Sequence, residues 1–183
     1  MAMLFDFDRL RARVSARSAA PRRLEDKQRD VFDSHRHRVF SVSFYMTGNE
    51  LEAEEILRGT FIRAFRQAEE PDSELVDAAL VEQLQEHVVL EDEELPFPRA
   101  DHLPDGRNIL RTDLEEAIRC LPPVERLIFL LMDVEGYSAA RIADLLQKTP
   151  AEVLRTAMTA RLRLRAEIAA RRTGTETDCQ QAA

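Results

Sequence analysis

The sequence predicts an all-α protein whose C-terminal part is a helix-turn-helix, and three observations carry that expectation. Five glycines and few aromatics stand among 183 residues that are 44% hydrophobic and 33% charged, a composition that suits a soluble, helix-rich chain. Apolar residues recur at intervals of three and four along most of the chain. Near its end, a short helical pattern, a tight turn at Gln147-Lys148 and an arginine-rich helical pattern follow one another. The length fits one ordinary domain or two small ones.

Residues 1 to about 25 hold Arg9, Arg11, Arg13, Arg17, Arg22 and Arg23 among small residues. They read as a basic arm, either a helix with a frayed end or disordered, and as a solvated tail rather than a nucleic-acid contact. From Asp26 to Met46, Val31, Val39, Phe40, Val42 and Phe44 fall at helical intervals, and Thr47-Gly48 supplies the stop. His35 and His37 lie two apart, on different sides of a helix, so they make a poor metal pair.

Asn49 is placed to cap a second helix whose first turns carry Glu50, Glu52, Glu54 and Glu55. Acid near a helix N-terminus is favourable in itself. A third helix, Ser73 to His87, puts Leu75, Ala79, Leu80 and Leu84 on one side and is expected to pack against the first two. Residues 91 to 106 have prolines, clustered acids and no periodicity, the features of a linker.

Leu121-Pro122-Pro123 opens the next helix, with Val124, Leu127, Ile128, Leu131 and Val134 on its inner face, since proline is tolerated in the first turn. Ser138 caps a short helix with apolar Ile142, Leu145 and Leu146. Thr149-Pro150-Ala151-Glu152 reads as a capping box that starts a long helix through at least Arg165. Val153, Ala157, Ala160 and Leu164 form its inward stripe. From Arg141 to Arg172 there are eight basic residues against three acidic ones, inside a chain of net charge −8. Such a local excess suits phosphate attraction, and equally a solvated helix face. The polar tail from Thr173 to Ala183 is expected to be disordered.

Leu114-Glu115-Glu116-Ala117, Leu121-Pro122-Pro123, Asp133-Val134-Glu135-Gly136-Tyr137-Ser138 and Ile142-Ala143-Asp144-Leu145-Leu146 resemble, in that order, the fourth domain of a bacterial RNA polymerase sigma factor of the sigma-70 family. The compact extracytoplasmic-function (ECF) type is the most similar. Leu51-Glu52-Ala53-Glu54-Glu55-Ile56-Leu57 followed by Thr60-Phe61 resembles the polymerase-binding helix of sigma domain two, with Arg58 and Gly59 where that family has Gln and Glu. Gly59 is expected to cost about 1 kcal/mol of helix stability relative to alanine. The resemblance implies two small helical domains, about residues 26–90 and 112–172. A basic N-terminal arm (1–25) precedes them, an acidic linker (91–111) joins them and a tail (173–183) follows.

The same resemblance implies a transcription initiation factor, not an enzyme, with core RNA polymerase and promoter DNA as partners, an anti-sigma factor as a further candidate, and a monomeric free state. Glu52, Glu54, Glu55, Ile56, Arg58 and Phe61 are the implied polymerase-binding residues. Ser138, Arg141, Arg155, Thr156, Thr159, Arg161 and Arg163 are the implied DNA-binding residues. The promoter-melting segment departs from the family. Residues 69 to 105 carry thirteen acidic residues and one basic residue, Arg99, and Ser73 to His87 has no aromatic residue to stack on an unpaired base. The reading helix departs too, with Leu154, Thr156 and Thr159 where that family has basic residues. The alternative is therefore a sigma-like decoy or adaptor that binds an anti-sigma factor or polymerase without initiating transcription.

An ordinary dimeric helix-turn-helix regulator fits less well, because it leaves the domain-two likeness unexplained. No nucleophile–base pair, phosphate loop or metal-spaced cluster is present, so neither an enzyme nor a metal or other cofactor is expected. Cys120 and Cys179 are too far apart in sequence to suggest a zinc site. The first residues lack a secretory pattern and no run suits a membrane span, so a cytoplasmic location is expected.

Overall fold

Two capping side chains and one glycine divide the first half of the chain into three helices. The computed structural model describes residues 23–90 and 110–181, with side chains up to Arg171. Helix α1, Leu24–Thr47, ends where Gly48 turns left-handed (φ 70°) and its N–H reaches the Phe44 carbonyl at 2.7 Å. Helix α2, Glu50–Gln67, starts where the Asn49 side chain accepts from the Leu51 N–H at 3.0 Å. Helix α3, Ser73–His87, starts in the same way on Asp72, which accepts from the Leu75 N–H at 2.9 Å. Val39, Val42, Met46, Ile56, Phe61, Ala64, Val76 and Leu84 make the core of this half.

Gly59 has a packing role that its low helix propensity hides. A Cβ built there would stand 1.6 Å from Gln83 Oε1 and 2.6 Å from its Cδ, so the missing side chain lets α2 and α3 approach. Gln83 is itself buried and donates to Glu86. Gly59→Ala is therefore expected to lower the Tm, although propensity alone favours alanine by about 1 kcal/mol. In a Gln83→Ala background the same change is expected to raise it. Thermal unfolding of the two single variants and the double variant checks this, and an equal shift in both backgrounds would contradict it.

The second half begins with α4, Arg111–Arg119, and α5, Pro123–Phe129, which opens on Pro123 and runs on into a π-helical turn, Leu130–Val134. That turn corrects the expected inner face. Its wider winding, with the Glu135 N–H on the Leu130 carbonyl at 3.0 Å, keeps Leu130 and Leu131 inside but turns Val134 outward, 58% exposed. Helix α6, Ala139–Leu146, is capped by Ser138, whose hydroxyl accepts from the Arg141 N–H at 3.2 Å. It ends at Gln147 (φ 53°), the left-handed residue of the tight turn. Ile142 and Ala143 are buried, whereas Leu145 and Leu146 are half-buried.

Helix α7, Pro150–Gln181, starts on the reciprocal cap expected of it. The Glu152 N–H donates to Thr149 Oγ1 at 3.2 Å, and the Thr149 N–H donates to Glu152 Oε2 at 2.7 Å. Val153, Ala157, Ala160, Leu164 and Ile168 form its buried stripe. The backbone stays helical from Thr173 to Gln181, where a disordered tail was expected. The described residues therefore form seven α-helices with no strand among them. The expected N-terminal arm and acidic linker lie almost wholly outside the described residues.

The two halves pack on each other. Arg126 of α5 donates to the Met46 carbonyl at 2.9 Å and to the Leu121 carbonyl at 2.8 Å, so a cation from the second half serves the carbonyl end of α1. Its burial pulls its pKa down. Helix α3 touches α6 across a cleft of about 620 Å³ bordered by Glu74, Glu82, Arg141 and Asp144. This second neighbour explains why α3 buries Val81 beyond the single face its sequence suggests.

Candidate functional site

Two surfaces hold the residues picked out in the sequence, one on α2 and one on α6 and α7. On α2, Glu52, Glu54, Glu55 and Arg58 are exposed, and so are Leu51 (76%) and Ile62 (47%). The helical register that exposes them turns Ile56 and Phe61 inward, 0% and 4% exposed. Those two side chains belong to the core, where they fix the helix that presents the acids. A groove of about 450 Å³ runs beside this face, with Phe32, Leu57, Phe61 and Phe65 in its walls and Glu54, Arg58 and Ile62 along it.

On α7 the outward residues are Leu154, Arg155, Met158 and Arg165, with Thr156 and Thr159 half-buried at the sides. Thr159 donates its hydroxyl to the Arg155 carbonyl at 3.1 Å. The other sequence-picked cations are engaged within the protein. Arg161 meets Asp133 through two nitrogens, the shorter contact being 2.7 Å. Arg163 lies against Glu125 at 3.0 Å, with side chains only 13% and 10% exposed, so it is turned into the protein rather than towards a groove of DNA. Burial raises the Glu125 pKa against the opposing pull of Arg163.

Arg141 crosses to the first half. Its guanidinium bonds Asp77 and donates to Ser73 Oγ at 3.1 Å, while Arg38 of α1 pairs with the same Asp77. Both arginines stack on Tyr137, with guanidinium carbons 4.4 Å (Arg141) and 5.6 Å (Arg38) from the ring centroid. Asp77 is 2% exposed, and nothing in its own helix hinted at this role, because its two partners lie far away in sequence. The acidic α3 is thus partly neutralised: Asp77 by Arg38 and Arg141, and Glu82 and Glu86 by Arg63.

Burial raises the Asp77 pKa above its ordinary value of 3.8, although the two arginines pull it down. An acid with a raised folded-state pKa favours folding in its protonated form. That contribution is complete below 3.8 and is lost as pH rises through the folded-state value. Wild type should therefore lose stability relative to Asp77→Asn across that window, as measured by urea unfolding at a series of pH values. A difference that stays constant with pH would contradict the burial argument.

The π-turn, the left-handed Gln147 and the Thr149–Glu152 cap together set α6 and α7 as a helix-turn-helix. Among the described residues no group of three or more His, Cys, Asp and Glu could hold a metal ion, and no helix is long and apolar enough to cross a membrane. Comparison with curated proteins gives no match. The family described as Sigma-70, region 4 matches residues 111–164, from the start of α4 to the inward Leu164 of α7, under a third of the chain. This half of the protein is similar to region 4 of the sigma-70 factors.

Proposed function

We propose that this protein is a transcription initiation factor of the ECF sigma type, acting in the cytoplasm as a monomer when free. It binds core RNA polymerase through the exposed side of α2, with Glu52, Glu54, Glu55 and Arg58 as contacts. It positions the enzyme on promoter DNA through α6 and α7, so that its two halves act as separate domains on two partners. The observation that carries this reading is the match of residues 111–164 to Sigma-70, region 4, on a helix-turn-helix whose second helix keeps Arg155 exposed. Comigration of the purified protein with core polymerase tests the first contact, and its absence would sink this reading.

Phosphate contact accounts for much of such a protein's DNA affinity and makes it fall with salt. Arg155→Ala is expected to reduce the slope of log K against log salt by about one and to leave stability within about 0.5 kcal/mol of wild type. Fluorescence anisotropy on duplex DNA across a salt series checks this, and an unchanged slope would remove Arg155 from the interface.

A second reading is a decoy or adaptor that engages an anti-sigma factor or polymerase without starting transcripts. It is favoured by one observation: Arg141, Arg161 and Arg163 are all paired internally, and Leu154 and Met158 occupy the outward face of α7. Tight anti-sigma binding without salt-dependent DNA binding would support it. Promoter opening with this protein as the sole sigma would eliminate it.

A further inference from the structure

We propose that Leu154 and Met158 set the sequence preference of α7 by covering the 5-methyl groups of thymines in the major groove. This rests on the reading of α6 and α7 as a DNA-binding unit, and adds which base is selected. Both residues stand near the start of α7, 51% and 62% exposed, on the face turned away from its buried stripe. The leading part of the second helix in a helix-turn-helix is the part that reaches base edges. Half or more of each residue is left in water, so the fold itself gains little from them.

The polar groups that could read a base by hydrogen bonding are mostly spent. Arg161 is held by Asp133, Arg163 by Glu125 and Arg141 by Asp77. The Thr159 hydroxyl gives its proton to the Arg155 carbonyl. Between Ala151 and Arg165, the exposed residues of α7 are Leu154, Arg155 and Met158. Leucine offers no hydrogen bond and methionine at most a weak one. Thymine is the base whose major-groove edge carries an apolar group. Against the other edges, the same side chains would strip donors and acceptors of water without replacing it. One helical turn, about 6 Å along the axis, separates the pair, so they meet neighbouring bases rather than a single one.

The surrounding charges favour DNA over a protein cover. Arg155 lies between the two, Arg165 follows on the same helix, and both are exposed. Of the nearby acids, Glu152 is tied into the Thr149 cap, where Lys148 and Arg155 act on it. Asp133 faces Arg161, Asp144 of α6 borders the α3 cleft, and Glu167 acts on Arg171. An apolar pair beside exposed cations suits a base edge with phosphates on either side.

The test uses holoenzyme reconstituted from core polymerase and the full chain. Duplexes are selected from a random library with wild type and with Leu154→Ala/Met158→Ala, whose changes lie outside the core. Wild type is expected to enrich thymine at one or two positions that the variant leaves unspecified. Uracil placed there removes only the methyl group, and should weaken wild-type binding about fourfold for each methyl covered. The variant should bind the thymine and uracil duplexes equally. Sequence-selective binding that is indifferent to uracil, or a variant that keeps the thymine preference, would overturn the methyl contact and leave the DNA role standing. Selection of no sequence at all would remove the DNA role, and this proposal with it. A variant that loses affinity for core polymerase without DNA would assign the pair to a protein contact instead.

Discussion

Replacing Arg163 with alanine is expected to lower the unfolding free energy by about 3 kcal/mol, because it strands a nearly buried carboxylate. Glu125 and Arg163 face each other with side chains 10% and 13% exposed, so water has little access to either charge. Urea unfolding measures the loss as a lower midpoint at an unchanged slope. The paired change Glu125→Leu/Arg163→Met, which removes both charges and keeps the volume, should recover most of it. If Arg163 instead worked on phosphates, its alanine variant would keep full stability and lose DNA affinity. The contrast with Arg155, eight residues earlier and exposed, makes the two outcomes easy to separate.

Asp77→Ala should cost a similar amount, about 3 kcal/mol, and should also loosen the seam between the halves. The alanine leaves Arg38 and Arg141 side by side on Tyr137 without the carboxylate between them. Hydrogen exchange is expected to quicken along α3 and α6, while the buried stripe of α7 keeps its protection. Arg141 is then released to the outer surface of the helix-turn-helix. The salt slope of DNA binding should steepen by about one, as expected of one added phosphate contact. A variant as stable as wild type, with unchanged exchange along α3 and α6, would show that the seam does not depend on this cluster.

Much of this fold was legible in the sequence because its signals are local. Thr149 and Glu152 stand at the spacing of a reciprocal cap, and they form one. Val153, Ala157, Ala160 and Leu164 repeat at three and four, and they are buried. Asn49, Asp72-Ser73 and Gly48 mark helix ends through chemistry that acts within a few residues.

What escaped depends on partners distant in the chain or on a change of helical winding. Val134 was expected inside because an α-helical count puts it there, and the π-turn shifts it out. Gly59 reads as a weak spot until Gln83 of another helix is seen against it. The role of Asp77 depends on Arg38 and Arg141, and Arg126 reaches a carbonyl of another helix. On the candidate surfaces, the sequence picked residues along α2 and α7 without sorting which sides of those helices face solvent. Glu55 and Arg155 point outward, whereas Ile56, Phe61 and Arg163 belong to the interior.

Reconstituted transcription from a promoter library, with core polymerase and this protein as the sole sigma, decides whether the protein initiates transcription. Transcripts should start at a defined set of promoters and should fall when Glu55→Arg breaks the α2 contact or Arg155→Ala removes the α7 cation. Core polymerase whose start sites are the same with and without the protein would contradict this expectation.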